Sequence, residues 1–259
     1  MRELPFLDIH THLANSSGLA IYNLDQLEIR KMAAVDQPVE SNGDVFSART
    51  ASGGTRPTAI SPDATSLPLL SAGIHPWFVD KNKLGKQLRQ LEKLAGNSRV
   101  RLIGECGLDK LRGPEMEIQK IAFAAQIQLA NQYQKPLVIH CVRAYNELIA
   151  VTKVTPPKVP LILHGFNRGP ELARQLTDHG YLLSFGANLA QKKPKENTPV
   201  ALALQQCWDK GQAFFLETDN STLSIEEIYK HAANLLKISE DALKDAIFAS
   251  WKKIGLNHE

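Results

Sequence analysis

The sequence predicts an α/β protein folded as a single (β/α) barrel, with an irregular insertion near residues 41–66. Two observations predict it. Short apolar runs alternate with amphipathic helical stretches, the pattern of strands buried on both faces and therefore of a parallel sheet. The length, 259 residues, matches one such barrel of about 250 residues.

The apolar runs occupy residues 5–9, 67–74, 100–103, 136–139, 159–163, 181–185 and 213–216, and so many strands in this length favour a barrel over an open sheet. Between them, Leu84, Leu88, Leu91 and Ala95 keep a helical spacing, and Ile118, Ile121, Ala122, Ala125 and Leu129 trace an apolar helical stripe. Residues 224–236 and 239–254 close the chain as two helices. Ser224 with Glu227 forms a capping box, whereas Ser239 is followed three residues on by Ala242. Residues 41–66 break the rhythm. They consist mostly of Ser, Thr, Gly, Asn, Asp and Pro, and read as a long insertion taking the place of one strand–helix unit. No linker divides the chain, so residues 1–259 are expected to form one barrel domain.

Charge and cysteine exclude more than they select. Thirty Lys and Arg against 27 Asp and Glu give a net charge of +3, too mild to mark a nucleic-acid binder. The three cysteines, Cys106, Cys141 and Cys207, form no CxxC pair and suit a reducing compartment. No apolar stretch approaches the roughly 20 residues of a membrane helix, and the N-terminus lacks a secretory pattern. The expectation is a cytoplasmic protein with no membrane association and no obligate protein partner.

Five of the eight histidines stand at or beside strand ends: His10, His12, His75, His140 and His164. Glu105 follows Leu-Ile-Gly, and Asp219 follows Phe-Phe-Leu-Glu-Thr. Residues two apart on a strand share a face, so His10 and His12 point together. The C-terminal ends of barrel strands open on one mouth, where these side chains would converge. His10, His12, Glu105, His140, His164 and Asp219 are therefore candidate metal ligands. Six ligands suit two divalent ions better than one, with Glu105 bridging: His10, His12 and Asp219 on one side, His140 and His164 on the other. The histidine-rich donors suit zinc, iron or manganese by ligand type. Cys106 and Cys141 each follow a candidate ligand and should face the helices, buried and inert.

The motifs resemble those of the TatD-type metal-dependent deoxyribonucleases. They are His10-Thr11-His12, Gly73-Ile74-His75-Pro76, Gly104-Glu105-Cys106-Gly107-Leu108-Asp109, Lys135-Pro136 running to His140, His164-Gly165-Phe166 and Glu217-Thr218-Asp219, in that order. The resemblance implies a compact TIM barrel of the amidohydrolase superfamily that hydrolyses phosphodiester bonds, usually in DNA, with divalent metal. It implies the same six ligands. It also implies His75 as a contact to substrate phosphate, and Glu217 and Asp109 as acidic groups that orient the water or support a ligand. Trp77, Val142 and Asn167-Arg168 depart from the pattern at substrate-facing positions, the family arginine being shifted to Arg143.

Basic residues follow the same strand ends: Lys110, Arg112, Arg143, Arg168, and Lys192, Lys193 and Lys195. Arg143 and Arg168 are the candidate substrate contacts, and Trp77 stands where it could stack on a base or line the rim. The reading is a two-metal phosphodiesterase acting on DNA or another phosphodiester, from an end or on single strands. Glu105, Glu217 and Asp219 would be its catalytic carboxylates. Alternatives are an amidohydrolase-like enzyme for a small phosphoester, amide or lactone, and a non-catalytic metal-bound module that binds nucleic acid or a partner.

Overall fold

The computed structural model describes residues 4–12, 18–34, 69–190 and 197–256. Among these residues eight strands follow one another around a sheet in sequence order: β1 (Leu7–Thr11), β2 (Leu19–Asn23), β3 (Leu69–Ala72), β4 (Val100–Asp109), β5 (Leu137–Val142), β6 (Leu161–Leu163), β7 (Tyr181–Phe185) and β8 (Phe214–Leu216). Every adjacent pair is parallel. The helices are α1 (Gln26–Ala34), α2 (Leu84–Ala95), α3 (Met116–Tyr133), α4 (Tyr145–Val154), α5 (Pro170–Asp178), α6 (Pro199–Asp209), α7 (Ile225–Leu236) and α8 (Glu240–Lys253). The predicted (β/α) barrel is what forms, and the capping box at Ser224 and Glu227 is present.

The barrel closes where β1 meets β8. A bridge pairs Thr11 with Asp219. The Asp219 N–H donates to the His10 carbonyl at 3.0 Å, and the His12 N–H donates to the Asp219 carbonyl at 3.2 Å. A buried carboxylate fastens the same seam: Asp8 Oδ1 accepts the Thr218 N–H at 3.1 Å, and Oδ2 accepts the Thr218 hydroxyl at 2.7 Å. The Tyr229 hydroxyl on α7 bonds both the N–H and the carbonyl of Leu7, docking that helix at the base of β1.

Three expectations need correction. The strand β2, Leu-Ala-Ile-Tyr-Asn, is not among the expected runs, although its apolar Leu19–Tyr22 is as long as residues 100–103 or 213–216 and follows Gly18. A usable signal did follow it: Asp25 and Glu28 cap α1 reciprocally, side chain to backbone N–H, at 2.7 and 2.8 Å. This strand and helix precede the expected insertion, so the insertion does not replace a strand–helix unit; residues 41–66 themselves lie outside the described residues.

The second correction concerns α3. Its buried face is Gln119, Ala122, Phe123, Gln126, Ile127, Leu129 and Ala130, while Ile121 is 56% exposed. The apolar stripe misplaced the face because two glutamines belong to it. Gln126 bonds both the N–H and the carbonyl of Ile74, and Gln119 ties Asp109 to Pro114. Buried polar groups need partners, and these two find theirs in the loops they anchor.

The third is strand length. β4 runs six residues past its predicted end, to Asp109, so Glu105 lies inside it. Glycine makes this passage possible. A Cβ at Gly104 would collide with the Val138 carbonyl oxygen, and one at Gly107 with that of His140, both at positive φ. β4 thereby lies close against β5 and brings Glu105 beside His140.

Candidate metal centre

β1 carries Asp8 and His10, and His12 follows one residue beyond it, with the register against β2 shifting between Asp8 and Thr11. His10 lies within β1, His140 within β5, His164 one residue beyond β6 and Asp219 three beyond β8. All converge on Glu105, which is 6% exposed.

The two carboxylate oxygens of Glu105 face different groups. Oε2 lies 3.4 Å from both His10 Nε2 and His12 Nε2. Asp219 Oδ1 stands 3.8 and 3.7 Å from the same two nitrogens. Oε1 lies 2.8 Å from His164 Nε2, 3.0 Å from His140 Nδ1 and 3.2 Å from His75 Nε2. His140 Nδ1 and His164 Nε2 are 3.4 Å apart, two nitrogens aimed at one place. His10, His12 and Glu105, and separately His75, Glu105 and His140, have ligand atoms close enough to share an ion.

Metal fits this chemistry. Four donors bonded at about 2.1 Å in a tetrahedron stand roughly 3.4 Å from one another, which is the spacing around Oε2. A hydrogen bond between imidazolium and carboxylate would be nearer 2.7–2.9 Å. His10 is fully buried, yet neither ring nitrogen has a hydrogen-bond partner, and an ion would satisfy Nε2.

Further carboxylates stand behind the imidazoles. His140 Nε2 faces Asp109 Oδ2 at 3.2 Å, which directs Nδ1 inward. Asp109 Oδ2 also accepts the Trp77 indole N–H at 2.6 Å, while Oδ1 accepts the N–H groups of Leu111 and Arg112. Behind His164, 3.6 Å from its Nδ1, is Glu217 Oε1, itself held by the Gly165 N–H at 2.6 Å. On His75 the Trp77 backbone N–H donates to Nδ1, so the neutral ring carries its proton on Nε2 as a donor.

The electrostatics follow from this packing. Burial alone would raise the Glu105 pKa, but His164 and the hydrogen-bonding imidazoles hold it well below the usual carboxylate value. Burial opposes charge on His164, yet Glu105 and Glu217 on either side push its pKa well above that of free imidazole. His75 goes the other way, lowered mainly by burial. Asp8, buried beside Glu217, is pushed up to about 7 despite its bonds from Thr218.

The structure brings His10, His12, His75, Glu105, His140, His164 and Asp219 together, with Asp109 and Glu217 adjoining. Of the two places expected for Glu217, at the water or supporting a ligand, it takes the second: it is 1% exposed and stands behind His164. Arg143 and Arg168 sit exposed on the loops after β5 and β6, outside the group around Glu105, and Arg168 faces the Tyr145 hydroxyl. Lys192, Lys193 and Lys195 lie outside the described residues. Trp77 is a rim residue with the Arg112 guanidinium 3.9 Å over its ring. Cys106 is buried as expected, whereas Cys141 is only partly so. Sequence reasoning missed Asp8, although its alternation with His10 and His12 was there to read. It also missed Thr218, which nothing in the sequence links to Asp8.

Comparison with known proteins places this geometry in a lineage: the family model described as TatD related DNase matches residues 7–254. The chain belongs to that family. A metal-dependent hydrolase of Buchnera aphidicola is 34% identical over 129 residues, 49% of this chain and 48% of the relative. The 3′-5′ ssDNA/RNA exonuclease TatD of Erwinia tasmaniensis is 35% identical over 42% of each chain, and the deoxyribonuclease Tat-D of Schizosaccharomyces pombe is 31% identical over 58% of this chain and 50% of its own. These alignments span about half the length of the curated relatives. The crystal structure of the TatD homologue YjjV of Escherichia coli superposes with a TM-score of 0.69 at 18% identity, covering 96% of this chain and 97% of that one. A TatD family hydrolase of Entamoeba histolytica gives 0.68 at 15% identity, covering 98% and 99%. Both show the same fold.

Proposed function

We propose that this chain is a metal-dependent phosphodiesterase that hydrolyses nucleic-acid strands, DNA foremost, from an end or in single-stranded form. The observation that carries the proposal is the divided allegiance of Glu105, one oxygen toward His10 and His12 and the other toward His140 and His164. His10, His12, Glu105 and Asp219 would hold one divalent ion, and Glu105, His140 and His164 a second; zinc and manganese suit the set by donor type, and magnesium, a harder ion, would rely on the carboxylates. Bound there, such ions supply an activated water at neutral pH and offset the charge that builds on phosphorus.

The chain's own residues do the rest. Asp219 is the most open of the carboxylates, 39% exposed, and is placed to take the proton of the attacking water. His75 presents Nε2–H as a donor to a phosphate oxygen. Glu217 and Asp109 position His164 and His140. Arg143 and Arg168, farther out, would meet the flanking strand. The names of the Erwinia and Schizosaccharomyces relatives favour a nucleic-acid substrate. Among the described residues no helix is long and apolar enough to cross a membrane, and the three free cysteines favour a cytoplasmic site of action.

The test is cleavage of an end-labelled single-stranded oligonucleotide with Mg²⁺ or Mn²⁺, against chelator and against Glu105→Ala. Metal-dependent cleavage that the variant loses is the expected result, and the product ladder reports whether degradation starts at an end. Intact oligonucleotide with metal bound would turn the reading to a small phosphoester.

A further inference from the structure

Beside the metal centre the barrel mouth holds a cavity of about 310 Å³, at the small end of ligand pockets, roughly 300–1,000 Å³. His12, His75 and Glu105 line it together with Asn23, Leu24 and Phe78. The first three belong to the site already described, but the other three have no part in it. Most of the lining is apolar. Phe78 is 53% exposed and gains little by burial, yet its backbone is pinned: its N–H donates to the His75 carbonyl, and its own carbonyl accepts from the buried Gln87 amide at 2.8 Å. The ring is thus held at the cavity, 5.8 Å from the His75 ring. Asn23 Oδ1 accepts the Ser71 hydroxyl at 2.9 Å, which leaves its NH₂ as the donor for a ligand.

A largely apolar site that offers an exposed aromatic ring and a single free carboxamide donor suits a nucleobase. We propose that the cavity binds the base of the nucleotide next to the scissile phosphodiester, stacked on Phe78, with the Asn23 amide donating to a ring carbonyl or nitrogen. This deepens the phosphodiesterase reading and rests on it. Stacking on an aromatic ring tolerates any base, so the pocket would register the presence of a base more than its identity. Its size admits one nucleoside and no duplex, which fits an unpaired strand.

The experiment compares single-stranded oligonucleotides that carry either a normal nucleotide or a tetrahydrofuran abasic residue on each side of the cleaved bond in turn. The wild-type protein should favour the base on one side by about 5- to 150-fold in kcat/KM, the range of one base–aromatic stack. Phe78→Ala should bring that ratio toward parity, and Phe78→Tyr should restore it. A wild-type protein indifferent to the base, or a Phe78→Ala protein that keeps the preference, overturns the pocket and leaves the phosphodiesterase standing. Failure to cleave either oligonucleotide with metal present overturns both.

Discussion

The two sides of Glu105 are built differently. On the seam side, His10, His12 and Asp219 are spaced at 3.4–3.8 Å and take their positions from backbone pairing between β1 and β8. On the other side, His75, His140 and His164 are drawn in to 2.8–3.2 Å from one oxygen and take their positions from side chains, Asp109 behind His140 and Glu217 behind His164. Backbone register is shared with the whole barrel and moves little; side-chain support moves residue by residue. On the proposed two-ion reading, the seam side is the better preformed of the two. Metal should bind in two steps, first at the seam.

Glu105 joins the sides, so its loss has the largest effect. Glu105→Ala should lower metal-dependent hydrolysis about 10³-fold or more and abolish the rise in Tm that divalent metal gives the wild type. A variant that still binds two equivalents by calorimetry would show that the two sides do not share this carboxylate. Asp109→Asn is next and is selective. It keeps an acceptor for Leu111 and Arg112 but turns an NH₂ toward two donors, His140 Nε2 and the Trp77 indole. The second binding step should weaken about 10- to 100-fold while the first holds. Equal weakening of both steps would erase the distinction between the sides.

The seam has its own test. Asp8→Ala leaves the Thr218 N–H without its buried acceptor and the Thr218 hydroxyl with only that of Thr11, a loss of about 1–3 kcal/mol. The metal-free Tm should fall by about 2–4 °C for each kcal/mol, and the first binding step should weaken more than the second. A variant of unchanged Tm would mean that backbone pairing alone closes the barrel.

These contrasts also separate what could be read in the sequence from what could not. The ligands were legible because each stands at a fixed place relative to an apolar run, and a parallel barrel sends such places to one mouth. The inner supports were half legible: Asp109 and Glu217 flank motif residues, but which imidazole each would serve depends on how β4, β5, β6 and β8 pack. The Asp8–Thr218 clamp was not legible, since it spans 210 residues and forms only when the barrel closes. β2 was missed although it is longer than β3, β6 and β8, and the buried face of α3 was missed because Gln119 and Gln126 satisfy loops that local pattern does not reveal. Local periodicity reports burial; it does not report which buried polar group meets which.

The smallest expected effect is the most discriminating. Trp77 meets the inner side in two ways that a phenyl ring would keep, its backbone N–H on His75 Nδ1 and its ring against those of His75 and His140, and in one that it would not, the 2.6 Å hydrogen bond from its indole N–H to Asp109. Trp77→Phe keeps an aromatic face beneath Arg112 and removes that one donor, a loss of about 0.5–1.5 kcal/mol. The second binding step should weaken by about 2- to 12-fold, and the first should not change. Trp77 can report the same event directly. It is one of three tryptophans, and its ring lies 5.7 Å from that of His140, so its fluorescence should respond to the second equivalent of metal and not to the first. That response should be missing from the Trp77→Phe protein. A fluorescence change completed at the first equivalent would put the inner side first in the order of filling. The seam's backbone pairing would then set where its side chains stand without setting which ion binds more tightly.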